Sequence, residues 1–471
     1  MNKKSVLFSL ASLLVLTTML LSSCGVPATT VAPATAAPAT EAPSTAVPAT
    51  AAPTVAPVAA LPSCGTAPVV MTAYYQAEFP LFPKLTAEFT RQYPNVTWDL
   101  HSDGFTNLIA ETPLVLASDN PPDLIRLATM VTFAKDGLLK NLDDYATAFG
   151  WDKWPVPQMN QLRVAADGSR GSGHLYAMGI NYQLTGVFYN KQLAAQIGMT
   201  EAPKTLAEFE DLLAKAKAAG IQPIIEWNAT ASGGGLAFPL QQLMMSLGPV
   251  QPVSDWVMEV PGATIDTPTN LIAAQHLEDW IKKGYFTPDT NALQYADVAA
   301  KFGKGEALFT FNGDWSNGVY TAAMGDNVGF FAFPPAVAGG GPAAMSAPAT
   351  YGIAATAKHA DCAAFWFNWV ATNDVARQIN VATEGSSVGG PADATIPSVP
   401  AGSLTAETLA AGVVVGKAGN ASDFIANSTS SIFAQGWTPE LQKLFGGKED
   451  AAGLLKAVQA EYLSELAQMP H

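Results

Sequence analysis

Strand-like and helical patterns alternate along residues 69–125, and this alternation restricts the possible folds more than any other feature of the chain. Short apolar runs typical of strands occupy residues 69–74, 96–100 and 123–125. Between the first two runs, Phe82, Leu85 and Phe89 recur at the spacing of one helical face. A second helical segment extends to about Ala117. Strands and helices in this order predict right-handed crossovers and an α/β fold with a mostly parallel sheet and flanking helices.

A second α/β unit follows farther along the chain. Thr205 and Glu208 match the Thr-x-x-Glu capping box, in which each side chain accepts a hydrogen bond from a free backbone amide at the start of a helix. Gly220 then provides the helix stop, and residues 221–225 have a strand pattern. Residues 450–466 have the pattern of a long C-terminal helix.

Length and charge limit the class of protein. Residues 63–471 are too many for a single small core, so we expect two domains or lobes. Hydrophobic residues make up 49% of the chain and charged residues 13%, which is a globular and not a disordered profile. The formal net charge of −15 argues against nucleic acid or an anionic lipid surface as a partner. The cysteines and histidines show no spacing typical of a zinc site, so we expect neither a metal nor a cofactor.

The N-terminus has the pattern of a secretory signal. Lys3 and Lys4 precede an apolar run over residues 6–21, and small residues follow it. The final Leu-Ser-Ser-Cys resembles the lipobox of bacterial lipoproteins, which implies a signal peptide over residues 1–23 and lipid attached to Cys24. The alternative is an ordinary signal peptide with an incidental cysteine.

Residues 24–63 form a predicted tether that is almost wholly Ala, Pro, Thr and Val. Such a segment favours extended, polyproline-like conformations and reaches on the order of 100 Å at roughly 3 Å per residue. A lipid at Cys24 and a tether of this reach predict a protein held at the outer face of the bacterial cytoplasmic membrane, extracellular or periplasmic. This compartment permits disulfides, so Cys64 and Cys362 either pair or remain free and buried.

Several short segments occur in an order and spacing that are hard to obtain by chance. They are residues 189–193 (Tyr-Asn-Lys-Gln-Leu), 203–209, 220–224, 302–308, 312–315 (Asn-Gly-Asp-Trp), 331–335 and 351–355. Together they resemble the extracellular solute-binding proteins of ABC importers, in the carbohydrate-binding group that includes maltodextrin binders. The resemblance covers the chain from about Val69 to the C-terminus.

The resemblance implies a two-lobed periplasmic-binding-protein fold with a ligand in the cleft between the lobes. The lobes are joined by a multi-strand hinge, which the chain crosses near residues 179–182, near Phe333 and near residues 350–353. The implied division assigns residues 64–180 and 333–350 to lobe 1, and residues 181–332 and 351–471 to lobe 2.

The function that the resemblance implies is that of a receptor, not an enzyme. We expect a monomer that binds a small solute, a mono- or oligosaccharide, and delivers it to the permease subunits of an ABC importer. Two alternatives remain: the same fold binding a non-sugar polar solute or acting as a sensor, and an anchored extracellular glycoside hydrolase. A hydrolase needs two carboxylates that flank a glycosidic bond, a role for which Glu78 and Asp314 are the candidates.

Trp315 is the first candidate ligand-binding residue. The Gly-Asp-Trp position of the family typically provides an aromatic platform at the cleft, and the alternative is a tryptophan buried in the core. Asp314 either accepts hydrogen bonds from sugar hydroxyls or caps the following helix.

The other candidates lie near predicted strand ends or in the hinge, because α/β sheets place ligands beyond the carboxyl ends of their strands. For Tyr74 and Trp227 the alternative is a core residue, and for Asp103 it is a surface loop. The candidates are Tyr74, Tyr75, Gln76 and Glu78 after the first strand, Asp103 after the second, Trp227 and Asn228 after residues 221–225, and Asn181 and Tyr182 in the first hinge crossing.

One departure from the family affects the choice of ligand. Maltodextrin binders carry an aromatic residue and a charged pair after the third strand, whereas this chain has Arg126-Leu127-Ala128-Thr129-Met130. We therefore do not expect maltose itself. No cluster of arginines suited to clamping phosphate or carboxylate is evident, because Arg126 stands alone.

Overall fold

The computed structural model describes residues 61–229, 235–429 and 431–468. Cys24, the predicted signal peptide and nearly all of the predicted tether lie outside the described residues. The strands of the described part are β1 (Val69–Gln76), β2 (Val96–Asp103), β3 (Leu124–Arg126), β4 (Arg163–Val164), β5 (His174–Leu175), β6 (Ala177–Asn190), β7 (Phe309–Gly313), β8 (Val328–Phe331), β9 (Ala344–Ile353) and β10 (Ala421–Ser422).

The α-helices lie between and after these strands. Those of the described part are α1 (Leu81–Gln92), α2 (Phe105–Leu116), α3 (Val131–Lys135), α4 (Asp143–Phe149), α5 (Val156–Asn160), α6 (Lys191–Gln196), α7 (Leu206–Ala218), α8 (Ala237–Leu247), α9 (Gln251–Val257), α10 (Pro268–Lys282), α11 (Tyr295–Gly303), α12 (Asn317–Met324), α13 (Ala360–Thr372), α14 (Asp374–Glu384), α15 (Leu404–Ala418), α16 (Thr438–Phe445) and α17 (Ala451–Gln468).

The predicted alternation at the start of the chain is confirmed as β1–α1–β2–α2–β3. β1 pairs in parallel with both β2 and β3, and α1 buries the predicted face formed by Phe82, Leu85 and Phe89. The main sheet continues in the order β2-β1-β3-β9-β6-β7, with β8 beside β6 and β10 beside β9. β9 runs antiparallel to β3 and β6, and β6 runs antiparallel to β7 and β8.

The second predicted unit is present, with two local differences. Thr205 caps α7 by accepting a hydrogen bond from the Glu208 amide at 3.2 Å, but the Glu208 carboxylate accepts from the Lys204 amide instead of the Thr205 amide. The strand predicted at residues 221–225 is wrong in extent, because only Ile224 forms bridges, to Phe286 and Phe309. Pro223 has no amide hydrogen to donate, and this limits regular pairing there.

The buried apolar residues form two main cores. The first core, which includes Phe82 and Trp366, packs α1 and α13 against β1 and β3. The second core, which includes Phe209 and Trp280, packs α7, α8, α10 and α17 against β7. A smaller cluster around Phe188 shares β6 with the second core. We call the elements of the first core lobe 1, and those of the second core and the smaller cluster lobe 2.

These cores correct the predicted division of the chain. Phe333 and Met345, predicted in lobe 1, are buried in the second core. Tyr351, Trp366 and Ala376, predicted in lobe 2, are buried in the first core. The reason is the direction of β9. Its first residues lie in lobe 2 and its last residues lie in lobe 1, and α13 and α14 then follow in lobe 1. No crossing occurs at Phe333.

Within the described residues, three segments connect the lobes. β6 contributes Met178 to the first core and Val187 to the second, with a register shift between Gly179 and Tyr182. β9 crosses in the opposite direction, and the chain returns to lobe 2 between α14 and α15. The Tyr182 amide donates to the Ser387 backbone oxygen at 2.6 Å, so the third segment is hydrogen-bonded to the first.

A disulfide joins Cys64, in the segment before β1, to Cys362 in α13. The two residues are 298 positions apart in sequence. Because both lie against the first core, the disulfide attaches the beginning of the described chain to lobe 1.

Candidate functional site

A cavity of about 360 Å³ lies between residues of the two lobes. Gln76 and Arg126, the last residues of β1 and β3, line it from lobe 1. Trp227, Tyr295 and Trp315 line it from lobe 2. Its position beyond the carboxyl ends of parallel strands is the place where α/β sheets bind ligands, and its volume lies within the roughly 300–1,000 Å³ typical of small-molecule pockets.

Five aromatic side chains form a connected group on the lobe 2 side of the cavity. The ring of Trp227 meets Tyr295 edge-on with centroids 5.0 Å apart, and meets Phe238 at 5.4 Å. Trp315 lies 6.3 Å from Phe238 and 6.1 Å from Phe424. Rings packed in this way support one another, so the cavity has a rigid apolar wall.

The end of β7 fixes the orientation of Trp315. Its indole lies directly over Gly313, where an added Cβ would stand only 1.9 Å from the ring. The indole Nε1 donates to the Tyr295 hydroxyl at 3.1 Å, and that hydroxyl lies 2.8 Å from the Ser316 Oγ. A glycine beneath the ring and a hydrogen bond at its edge hold the half-buried indole at the cavity surface.

Polar atoms without partners accompany these rings. The Gln76 Oε1 and the Trp227 Nε1 are buried and have no hydrogen-bond partner within the described ranges. Both residues line the cavity. A buried polar group without a partner costs about 1–3 kcal/mol, so a ligand hydroxyl that reaches either atom would relieve that cost.

Arg126 brings a buried positive charge to the lobe 1 wall. Its side chain is 9% exposed, and its Nη1 donates to the backbone oxygens of Leu127 and Thr350. Its guanidinium carbon stands 5.9 Å from the ring centroid of Phe105, within cation–π range. Burial lowers the pKa of Arg126 from its ordinary value, but arginine keeps its charge at neutral pH.

An ion pair between described residues connects the lobes beside the cavity. Arg170, in the loop between β4 and β5 of lobe 1, donates from its Nη2 to the Asp423 Oδ2 of lobe 2 at 2.6 Å. Both side chains are buried. The Arg170 amide also donates to the Met258 backbone oxygen at 2.7 Å. The two lobes are therefore in direct polar contact away from the crossing strands.

Four predicted ligand-binding residues line the cavity: Gln76, Glu78, Trp227 and Trp315. Trp227 and Trp315 belong to its aromatic wall. Glu78 is exposed at the lobe 1 side, where its Oε1 accepts a hydrogen bond from the Phe105 amide at 2.9 Å.

Three other predicted residues do not line the cavity and instead form hydrogen bonds at or beside the crossing segments. The Asp314 carboxylate accepts from the Leu184 amide at 3.1 Å and from the Ser386 hydroxyl at 2.7 Å, and burial raises its pKa well above the usual value. Asn181 is fully buried, and its Nδ2 donates to the Glu384 Oε2 at 2.8 Å. The Tyr182 hydroxyl donates to the Gln158 backbone oxygen at 3.2 Å. Most of these polar groups are already bonded within the protein, but the Asn181 Oδ1 is buried without a partner among the described residues.

The remaining predicted residues do not line the cavity either. The Tyr74 hydroxyl donates to Glu111, and burial together with this bond raises its pKa to about 12. Tyr75 stacks on a core phenylalanine of α1 with ring centroids 5.2 Å apart. The Asp103 carboxylate accepts from the Gly104 amide at 2.7 Å, and the Asn228 Nδ2 donates to the Asn291 Oδ1 at 2.8 Å.

Sequence reasoning missed most of the cavity wall from lobe 2. Phe238 and Tyr295 belong to α8 and α11, and Phe424 follows β10, so they are far apart in sequence and have no common motif. Arg126 carried a usable signal, since it directly follows the strand pattern at residues 123–125. Its position at a carboxyl end marks it as a cavity residue.

Neither a metal site nor a membrane span is evident in the described part of the chain. Residues 61–229, 235–429 and 431–468 contain no group of three or more His, Cys, Asp or Glu side chains placed to hold a metal ion. Within the same ranges, no helix combines the length and apolar character needed to cross a bilayer.

Two lobes joined by crossing strands, with a cavity between them, define a cleft-type binding protein. The chain belongs to the bacterial extracellular solute-binding protein family, which it matches over residues 73–377. It is 25% identical over 317 residues to an uncharacterized ABC transporter extracellular-binding protein of Pyrococcus horikoshii, covering 64% of this chain and 66% of that protein. It is 27% identical to a probable sugar-binding periplasmic protein of Mesorhizobium japonicum, covering 44% of this chain and 48% of that protein. The aligned part thus spans between about half and two thirds of these relatives' length.

Solved structures confirm the two-lobed fold. A chitin oligosaccharide binding protein has a TM-score of 0.68 at 22% identity, covering 85% of this chain and 99% of the other. A maltose-bound MalE3 of T. maritima has a TM-score of 0.66 at 18% identity, covering 84% of this chain and 99% of the other. At these identities the likeness establishes the fold.

Proposed function

We propose that this chain is an extracytoplasmic receptor that binds a mono- or oligosaccharide in the cavity and delivers it to the permease of an ABC importer. The observation that carries the proposal is the cavity wall itself. The half-buried indole of Trp315 suits the C–H surface of a sugar ring, with the buried Trp227 packed behind the same aromatic wall, and the amide of Gln76 and the carboxylate of Glu78 suit sugar hydroxyls. The names of the relatives, a sugar-binding periplasmic protein and a chitin oligosaccharide binding protein, support the same ligand class.

Ligand contacts from both lobes provide the mechanism. A sugar that touches Gln76 of lobe 1 and Trp315 of lobe 2 together stabilises the arrangement in which the lobes are in contact. Its differential affinity for that arrangement shifts the population towards it, and the crossing strands act as the hinge. No bond is made or broken in this cycle, so the proposed receptor is not an enzyme. Because both lobes that contact the ligand belong to one chain, we also propose that it works as a monomer.

Thermal unfolding of the purified full chain in detergent solution, with a library of sugars, polyols and amino acids, tests this function. A ligand present at 100 times its Kd stabilises the native state by about 2.7 kcal/mol, a clear rise in Tm. We expect particular sugars to raise the Tm. A rise only with polyols or amino acids contradicts the sugar class, and product release from a panel of glycosides contradicts the receptor.

The Trp315→Ala variant tests whether the sugar binds in this cavity or elsewhere on the protein. Removing this platform costs about 2 kcal/mol, roughly thirtyfold in affinity, so the sugar-induced rise in Tm should disappear at moderate ligand concentration. Trp98→Ala is the matched control, because Trp98 is also half-buried but packs on Phe82 and Trp366 in lobe 1. We expect Trp98→Ala to lower the Tm of the ligand-free protein and to keep the sugar-induced rise in Tm. An unchanged rise in Trp315→Ala contradicts the assignment.

We also propose that lipid on Cys24 anchors this receptor at the outer face of the cytoplasmic membrane. The Leu-Ser-Ser-Cys segment and the Ala/Pro/Thr-rich residues after it support the proposal. Cys24→Ala should move the protein from the membrane fraction to the soluble extracytoplasmic fraction while sugar binding stays unchanged. Full retention of Cys24→Ala in washed membranes contradicts lipid anchoring.

A further inference from the structure

Arg126 carries a charge that the protein itself does not neutralise. No carboxylate oxygen lies within 4.0 Å of its guanidinium among the residues that the structure describes. Only its Nη1 has hydrogen-bond acceptors there, the backbone oxygens of Leu127 and Thr350. The guanidinium is nevertheless at a cavity wall and almost fully buried. Burying an unpaired cation is costly, and arginine's planar fork matches a carboxylate through two parallel hydrogen bonds.

The nearby acidic groups do not remove this charge. The carboxyl groups that act on Arg126 are those of Glu384 and Asp423. Asp423 is already paired with Arg170 at 2.6 Å. Glu384 is buried and accepts a hydrogen bond from Asn181, and burial raises its pKa to about 7, so it is only partly ionised at neutral pH. The remaining acid at the cavity, Glu78, is exposed and bonded to the Phe105 amide.

From this arrangement we infer that the preferred ligand is an acidic sugar, a uronic acid or a uronate-containing oligosaccharide, whose carboxylate pairs with Arg126. The inference rests on the proposed function and specifies its ligand class. The sequence expectation that Arg126 alone does not hold a carboxylate is thereby revised. Among the described residues that line the cavity, Arg126 is the cation without an acidic partner, and one such cation matches the single negative charge of a carboxylate better than the two of a phosphate. Arg126 is then a specificity-determining residue, while the aromatic wall of lobe 2 supplies affinity common to acidic and neutral sugars.

Isothermal titration of the full chain with matched ligands tests the inference. Each uronic acid (galacturonate and glucuronate) is compared with its methyl ester and its parent hexose, as monosaccharides and as trisaccharides. A charge-assisted hydrogen bond contributes about 1.5–3 kcal/mol, so the acid should bind roughly 10- to 100-fold more tightly than its ester. Equal binding of acid and ester overturns the inference. This comparison uses the wild-type chain and does not depend on any variant folding.

Variants of Arg126 test whether this residue causes the preference for acidic sugars. Arg126→Gln should weaken uronate binding roughly 10- to 100-fold and leave hexose binding almost unchanged, while Arg126→Lys, which keeps the charge but loses the fork, should fall between. Arg91→Gln is the control, because Arg91 is an exposed arginine of α1 paired with Glu88. Equal weakening of acid and hexose by Arg126→Gln overturns the specificity role.

The outcomes distinguish the two proposals. Binding of neutral sugars with no preference for the acids overturns the acidic-sugar inference and supports the receptor. Absence of binding by every sugar, acidic or neutral, overturns the proposed function and the inference with it. Preference for the acids that disappears in Arg126→Gln supports both.

Discussion

Individual buried carboxyl groups make the strand crossings sensitive to pH. Glu384 is 3% exposed, accepts a hydrogen bond from Asn181, and faces Arg126, Lys84 and the buried carboxyl of Asp314. Burial disfavours its charged form and raises its pKa from 4.5 to about 7. Between pH 4.5 and about pH 7, Glu384 is therefore protonated in the folded state, whereas in the unfolded state it has already lost its proton.

Glu384→Gln should change how stability depends on pH. Because the folded pKa is raised, the wild-type chain loses stability as pH rises from about 4.5 to about 7, by on the order of 3 kcal/mol from this group. Glutamine has no charge to bury, so the variant gains stability relative to wild type over that range. Urea unfolding at pH 5 and pH 8 measures the difference. Glu201→Gln, at an exposed position, should show none. Parallel pH profiles of Glu384→Gln and wild type contradict the prediction.

At the same scale, sequence position identified some cavity residues but not their partners. Trp315 is predicted from the family's Gly-Asp-Trp position and Trp227 from its place after residues 221–225, and both line the cavity. Asp314 is predicted either to bind ligand or to cap the following helix, but it does not line the cavity, because the Leu184 amide and the Ser386 hydroxyl from two crossing segments occupy its carboxylate oxygens. These two partners lie 130 and 72 residues away from Asp314 in sequence, so no local sequence pattern predicts them.

At the scale of elements, the β4–β5 hairpin connects the lobes. Its loop carries Arg170, which reaches Asp423 just after β10 and contributes a backbone bond to Met258. Both charges are buried in this arrangement, whereas separation of the lobes returns them to water. Truncating one partner leaves the other buried and unpaired, at a cost of about 3–5 kcal/mol.

Arg170→Gln should therefore favour separated lobes. We expect a larger radius of gyration for the unliganded chain in small-angle X-ray scattering, and sugar binding weakened at least tenfold, since ligand energy must also restore the contact. Arg163→Gln is the matched control, because Arg163 lies in the same hairpin and pairs at 3.5 Å with Asp143, a residue of lobe 1. Identical scattering and Kd values for Arg170→Gln and wild type contradict this role.

For the whole molecule, the disulfide between Cys64 and Cys362 closes most of the described chain into one loop. In the chain-entropy view such a long loop stabilises the folded state by restricting the unfolded chain, and native disulfides typically contribute about 2–5 kcal/mol. Cys64→Ser should lower the free energy of unfolding by that amount in urea titrations. Cys64 is the better position to change, because Cys362 is the more deeply buried of the two.

A reducing buffer provides the control for this prediction. Wild type with its disulfide reduced should match Cys64→Ser, and addition of reductant to the variant should change nothing. If Cys64→Ser is as stable as the oxidised wild type, the disulfide does not stabilise the fold.

The sequence by itself determined the order of strands and helices over residues 69–125, the capped start of α7 and the α/β class, because these depend on periodicity and on neighbours within a few residues. The tertiary structure alone decided which lobe each segment joins. The apolar residues within 333–350 and 351–376 fit either assignment, and their burial in the first or second core depends on the direction in which β9 crosses. The tertiary structure also assembled the cavity, since Arg126, Phe238, Tyr295 and Phe424 meet only when distant elements pack together.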